Sequence, residues 1–396
     1  MLFSKRKNDD LVLILDVQSG LARSALVLYR EGQIPKILFV HSTLIPHKSS
    51  TDSRHVINST VKATANSIGE ALKYLSRQKH NRAAKSDTKK DASDIIPYRV
   101  SEVHYVLSSP WIMSEAKRIE ISFDTNKMVK EDMIRKMVSE DREKLAEEAR
   151  AKGKIIPVEE KIFDVKLNGY SVTNWQNREA RSLSVSFVTS ISGTKMVGRF
   201  KDLCSHVVFG HKVFFHSSLL LQHIALNEVN PRRETYVIIH IHGEVTDIVE
   251  VDKHACIYFA TFPIGTETML RMFAKETKTD LQVAASMLNI RNSHLSLQTS
   301  EKNTESMNKI NEYWFKKFEN SMKAGPLSME GGMSLVVSSK ERLNSIVGLL
   351  REKYPKVSVE MLDGDDLSTF VSYDIAAERH VMISLYAESL GKLRRK

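Results

Sequence analysis

Long apolar runs are absent from this chain. No stretch approaches the roughly 18 consecutive apolar residues of a membrane span, and the first ten residues, MLFSKRKNDD, lack the apolar core of a signal peptide. The expected location is therefore the cytoplasm. Cysteine is scarce as well: Cys204 and Cys256 lie in apolar surroundings without CxxC spacing, which predicts reduced core thiols rather than a disulfide framework. No Ser-His-Asp, Cys-His or paired-carboxylate constellation stands out, so an independent hydrolase has little support. Nor do aromatic and basic residues interleave as they do on a base-stacking surface, so no specific nucleic-acid partner is expected.

What is present is charge and ordinary globular composition. Of 396 residues, 42% are hydrophobic and 27% charged, enough for two or three domains with a substantial core. The net charge of +10 gathers at Lys5 to Lys7, in Arg77 to Lys90 and in the closing KLRRK, positions typical of tails or linker. Such segments are solvated by default, and their best functional alternative is weak contact with anionic lipid.

The first apolar strand, LVLIL from Leu11 to Leu15, ends in Asp16, then Gln18, Ser19 and Gly20. Small and polar residues there make a tight turn whose N–H groups can face an anion. Asp16 either holds a metal-bound water beside that turn or fastens the hairpin itself. ARSALVLYR and KILFVHSTLI complete a three-strand meander, followed by a long helix over HVINSTVKATANSIGEALKYLSRQ and a linker ending near Pro97. VHYVLSS and KRIEISF read as strands of a compact insert, with an amphipathic helix through KEDMIRKMVSEDREKLAEEARAKG and a hairpin at Asn168-Gly169. SLSVSFVTSIS, a helix from about Lys195, KVFFHSS and SLLLQHIALNEV close the half near Pro231. The second half repeats the pattern, beginning with YVIIHIHGEVTDIVEV. The resulting boundaries are 1–97 for the first half (79–97 flexible linker), 98–181 for the insert, 182–231 for the rest of the first half, and 232–396 for the second. Two such α/β units facing each other place two polar turns across a shared cleft suited to a nucleotide.

This arrangement resembles the actin-like ATPase superfamily, and within it the bacterial FtsA and PilM proteins. LILDVQSGLARSALV is similar to the phosphate-1 hairpin, VIIHIHGEVTDIVEV to the phosphate-2 hairpin, and the insert falls where FtsA carries its SHS2-type domain. The resemblance implies two RNase H-like α/β halves around a cleft, with a small α+β SHS2-like insertion in the first. It also implies a degenerate nucleotide site at Asp16, Gln18, Ser19, Gly20, His240, Gly243, Thr246, Asp247, Gly265 and Ser338.

Gln18 stands where the family has a glycine, His240 where it has a metal-side aspartate, and His242 and Glu244 where it has glycines. Side chains at a phosphate-cradling turn occupy the phosphate's space, and a glutamate adds like charge. The expectation is a pseudo-ATPase without catalytic residues, with ATP and Mg²⁺ bound weakly at most. His240 and His242, two apart on a strand, share a face and raise an HxH metal site for which the sequence supplies no third ligand; half-buried strand histidines are the plainer reading, and no metal is expected. Function follows by resemblance: an FtsA-like scaffold linking a cell-division polymer to the membrane machinery, peripheral at the inner face of the membrane and self-associating through the insert. The alternatives are a PilM-like type IV pilus assembly platform that holds a pilus membrane protein, and an active actin-like ATPase.

Overall fold

A computed structural model describes residues 9–45, 53–83, 97, 99–150, 155–207, 212–292, 301–329, 332–339, 343–363, 367–375 and 377–395. The chain divides into two compact units, each assembled from separate stretches of sequence.

The first unit comprises residues 1–111, 194–230 and 363–396. It contains β1 (Asp10–Val17), β2 (Leu21–Tyr29), β3 (Lys36–Leu44), α1 (Ser53–Ala83) and β4 (Glu102–Leu107). The second unit takes over with β5 (Ile112–Val129), α2 (Glu131–Arg150), β6 (Ile155–Leu167), β7 (Tyr170–Ser171) and β8 (Arg178–Gly193). The chain then returns to the first unit for α3 (Thr194–Val207), β9 (Lys212–Ser217) and α4 (Ser218–Val229). Next come β10 (Tyr236–Ile241), β11 (Thr246–Asp252), β12 (Ala255–Phe262), α5 (Thr266–Thr277), α6 (Leu281–Asn292) and α7 (Glu301–Ala324). The second unit ends with β13 (Ser334–Ser339), α8 (Asn344–Lys353) and β14 (Ser358–Met361), and β15 (Ser372–Tyr373) and α9 (Val381–Arg395) belong to the first.

The repeat read from the sequence is present in the sheets. The first unit orders its strands β15-β3-β2-β1-β4-β9 and the second β12-β11-β10-β13-β14. In each, an antiparallel meander leads into two parallel strands. The central strands are buried on both faces, as the unbroken runs LVLIL and YVIIHI require.

Four boundaries differ from the sequence reading. Residues 79–83, assigned to the linker, continue α1; the rest of that linker falls largely outside the described residues. VHYVLSS forms β4, which pairs with β1 and β9 in the first sheet rather than opening the insert. SLSVSFVTSIS lies in β8, which pairs with β5 and β6 in the insert's own sheet, ordered β5-β8-β6-β7. The insert is thus 112–193, and it groups with the second half: β12 packs against β5, β6 and β8. Finally, residues 363–395 return to the first unit. There β15 adds to β3, and α9 packs on α4 with Met382, Ile383, Leu385, Tyr386, Ala387 and Leu390 buried. The apolar face of this closing helix, just ahead of the basic KLRRK segment, is therefore core: α4 covers it. No helix among the described residues is long and apolar enough to cross a membrane.

Asn168 and Gly169 both take positive φ, 52° and 85°, as a two-residue hairpin turn demands. Both cysteines are buried free thiols.

Candidate functional site

Asp16 ends β1 wholly buried, and its cross-strand partner in β2 is Arg23, also buried. Their side chains form an ion pair, and Gln18 Nε2 donates to Asp16 Oδ2 at 3.0 Å. Burial pulls the Arg23 guanidinium below its usual range, opposed by the charge of Asp16. Arg23 Nε also donates to Ser42 Oγ at 3.0 Å. The turn is closed by the Gln18 N–H donating to Leu21 O at 2.9 Å, and the Gln18 carbonyl accepts from Trp111 Nε1 at 3.1 Å. Ser19 and Gly20 are buried in this turn. Of the two roles open to Asp16, fastening the hairpin is the one this geometry serves, although by side chains more than by backbone.

The second hairpin repeats the plan with other chemistry. His240 on β10 stands opposite Asp247 on β11 and beside Ser338 on β13. The turn closes through the His242 N–H to Val245 O at 3.1 Å. His242 Nε2 lies 3.0 Å from Asp247 Oδ2, and Thr261 Oγ1 donates to Asp247 Oδ1 at 2.7 Å. Thr246 Oγ1 donates to Ile264 O at 2.6 Å and accepts from the indole of Trp314 at 3.0 Å. Trp314 is thus helix core, as read from the sequence, with a polar handle on the hairpin.

The N-terminus of α5 is occupied by this same hairpin. The Thr266 and Glu267 N–H groups donate to the His242 and Gly243 carbonyls at 3.2 and 2.8 Å, so two of the helix's first donors are spent on protein. Gly265 permits that contact: a Cβ there would collide with those carbonyl oxygens. Glu244 reaches α5 too, accepting from Thr268 Oγ1 at 2.8 Å and pairing with Arg271.

The structure therefore brings together Asp16, Gln18, Ser19 and Gly20 in one unit, and His240, Gly243, Thr246, Asp247, Gly265 and Ser338 in the other. Sequence reasoning missed Arg23, Thr261 and Arg271. The signal for Arg23 was present: one guanidinium in an apolar strand, at the register position opposite Asp16. These donors do not fit a magnesium ion. The Asp16 carboxylate is engaged by a fixed cation, and the second hairpin sets its one carboxylate, Asp247, among imidazoles, a donor set that a hard, oxygen-seeking ion disfavours.

Below the hairpin, Glu250 sits fully buried on β11. Its Oε2 accepts the Leu327 N–H at 3.0 Å, Oε1 has no hydrogen-bond partner among the described residues, and burial pushes its pKa up to about 7. Gly325 leaves the space Glu250 fills, since a Cβ there would strike the carboxylate.

Two sheets of meander-plus-parallel topology define the actin-like ATPase fold. The chain is similar in structure, from end to end, to one from the PilM–PilN type IV pilus biogenesis complex: TM-score 0.62, 13% identity, covering 97% of this chain and 98% of that one. It is also matched by the ethanolamine utilization protein EutJ from Carboxydothermus hydrogenoformans, with TM-score 0.44, 7% identity and coverage of 96% and 88%. ParM of psk41 matches with TM-score 0.39, 9% identity and 98% coverage of both chains. No family model matches the chain, and no curated protein matches it.

Proposed function

We propose that this protein is a PilM-like platform of type IV pilus assembly, a scaffold that holds a pilus membrane protein and turns over no nucleotide. The observation that carries the proposal is the full-length similarity to the PilM–PilN structure. The division-scaffold reading requires the same fold and remains the competing reading that the binding test addresses. The two fastened hairpins favour a scaffold: Arg23 supplies internally the positive charge that a metal ion would otherwise bring to Asp16, and the second hairpin is tied to α5. Recruitment to the membrane then comes through the partner, since the apolar face of α9 is already buried in the first unit.

The test is binding of the full chain to a peptide of the cytoplasmic tail of a PilN-like membrane protein from the same source, measured by calorimetry. A tubulin-like division polymer serves as the competing ligand. One-to-one association with the tail is expected; binding of the polymer in its place would return the function to division. Magnesium–ATP turnover at the level of a protein-free blank is expected, and turnover well above it would end the pseudo-ATPase reading.

A further inference from the structure

We propose that His240, His242 and Asp247 form a binding site for a d-block dication of the Zn²⁺ class. One ligand atom from each residue lies within 4.8 Å of the others, and all three side chains are buried. The third ligand that the HxH spacing lacks in sequence is supplied across the strand pair, because Asp247 faces His240 in register. The His242 Nε2 and Asp247 Oδ2 atoms are 3.0 Å apart. Donors about 2.1 Å from one tetrahedral ion stand about 3.4 Å apart, so an ion need only open this pair by a few tenths of an ångström.

The surroundings favour the same chemistry. Thr261 Oγ1 holds Asp247 Oδ1 at 2.7 Å and leaves Oδ2 turned to the imidazole, the outer-shell arrangement that orients a ligating carboxylate. Two imidazoles and one carboxylate select Zn²⁺, Co²⁺ or Ni²⁺ over Mg²⁺ and Ca²⁺, and three protein ligands leave a position for water. The chain holds a second histidine cluster that makes a useful contrast. His104 Nδ1 faces His216 at 3.0 Å and its Nε2 faces Glu102 at 3.2 Å. Donors on opposite sides of one ring do not converge on a point, and Glu102 is also paired with Arg394. The convergent cluster is a site; the linear one is not.

The probe is Co²⁺ or Zn²⁺ loaded into the intact full chain during expression, followed by exhaustive dialysis, metal analysis and X-ray absorption. One ion per chain is expected, with two imidazoles in its shell and an affinity at or below the micromolar range. His242→Ala should weaken binding by more than about 100-fold, and Thr261→Val, which changes only the outer shell, by about 10-fold. His216→Ala should change neither. Metal that dialyses away, a shell without two imidazoles in the unmutated protein, or full retention by the His240→Ala/His242→Ala double variant would overturn the proposal. The absorption measurement on unmutated protein keeps the test valid should a variant fail to fold.

Discussion

The two hairpins place different residues at equivalent positions. Each has a cross-strand pair at the strand end, Asp16 opposite Arg23 and His240 opposite Asp247, and each has a polar side chain at the start of the turn, Gln18 and His242. In the first hairpin the pair is a full ion pair, and the turn residue donates to the acid. In the second, the acid has moved to the other strand and binds the turn imidazole and a threonine hydroxyl. The difference lies in how buried charge is balanced. A permanent cation neutralises Asp16, although Arg23 Nη2 is left without a hydrogen-bond partner among the described residues. The second presents one carboxylate to two buried imidazoles, with no fixed guanidinium opposite it in register.

The sharpest break in that comparison is Asp16→Ala, which strands a buried guanidinium. A loss of about 3–5 kcal/mol in urea unfolding is expected. Replacing both partners, Asp16→Leu with Arg23→Met, should recover most of it; a double variant as unstable as the single one would mean the pair is not what neutralises this site.

Gly265→Ala attacks the second hairpin through its backbone, and about 3 kcal/mol should be lost as the turn is forced from α5. A thermal midpoint unchanged by this substitution would show that the close approach is not required.

Glu250 provides a pH test confined to the second sheet. Its folded pKa of about 7 lies above the ordinary carboxylate value. The folded state therefore holds a proton that the unfolded chain releases on passing about pH 4.5. Its contribution is fully present below that point, declines as pH rises, and is gone above about pH 7, a change on the order of 1–2 kcal/mol. Glu250→Gln should flatten this slope; an identical pH profile for the variant would refute the assignment.

Gln18→Gly restores the glycine that the resemblance leads one to expect. It removes the forked Gln18 hydrogen bond to the two Asp16 oxygens, worth about 1 kcal/mol, and should leave magnesium–ATP binding unchanged because Arg23 remains. Recovered nucleotide affinity would identify Gln18, rather than Arg23, as the obstacle. Arg271→Ala is the mildest change, since its pair with Glu244 is partly exposed: under about 1 kcal/mol by thermal denaturation.

Much of the architecture was legible because burial leaves periodic marks. The unbroken apolar runs of β1 and β10 mark central strands, and the stripe of α7 marks a core helix. Sheet membership leaves no such mark. β4 is buried on both faces and the SLSVSF part of β8 alternates, yet nothing within EVHYVL or SLSVSF says which neighbour will accept its hydrogen bonds. The stripe of α9 reads equally as a lipid face or a packing face until α4 is seen against it. At the site, the turn residues were found by type, whereas Arg23 and Thr261 matter through register, which must be known before they acquire a role.

The return of residues 363–395 to the first unit bears on how the chain is made. Tyr29 donates to the Ala387 carbonyl at 2.9 Å across 358 residues of sequence, and Arg394 reaches back to Asp10 across 384. On a ribosome the second unit, ending at Leu362, has all its parts before the first does. The earliest strands must wait with the face that α9 will cover still bare. Closure over so long a loop is slow, so the nascent first sheet is the stage at which this protein is most exposed to misassembly and most in need of a chaperone.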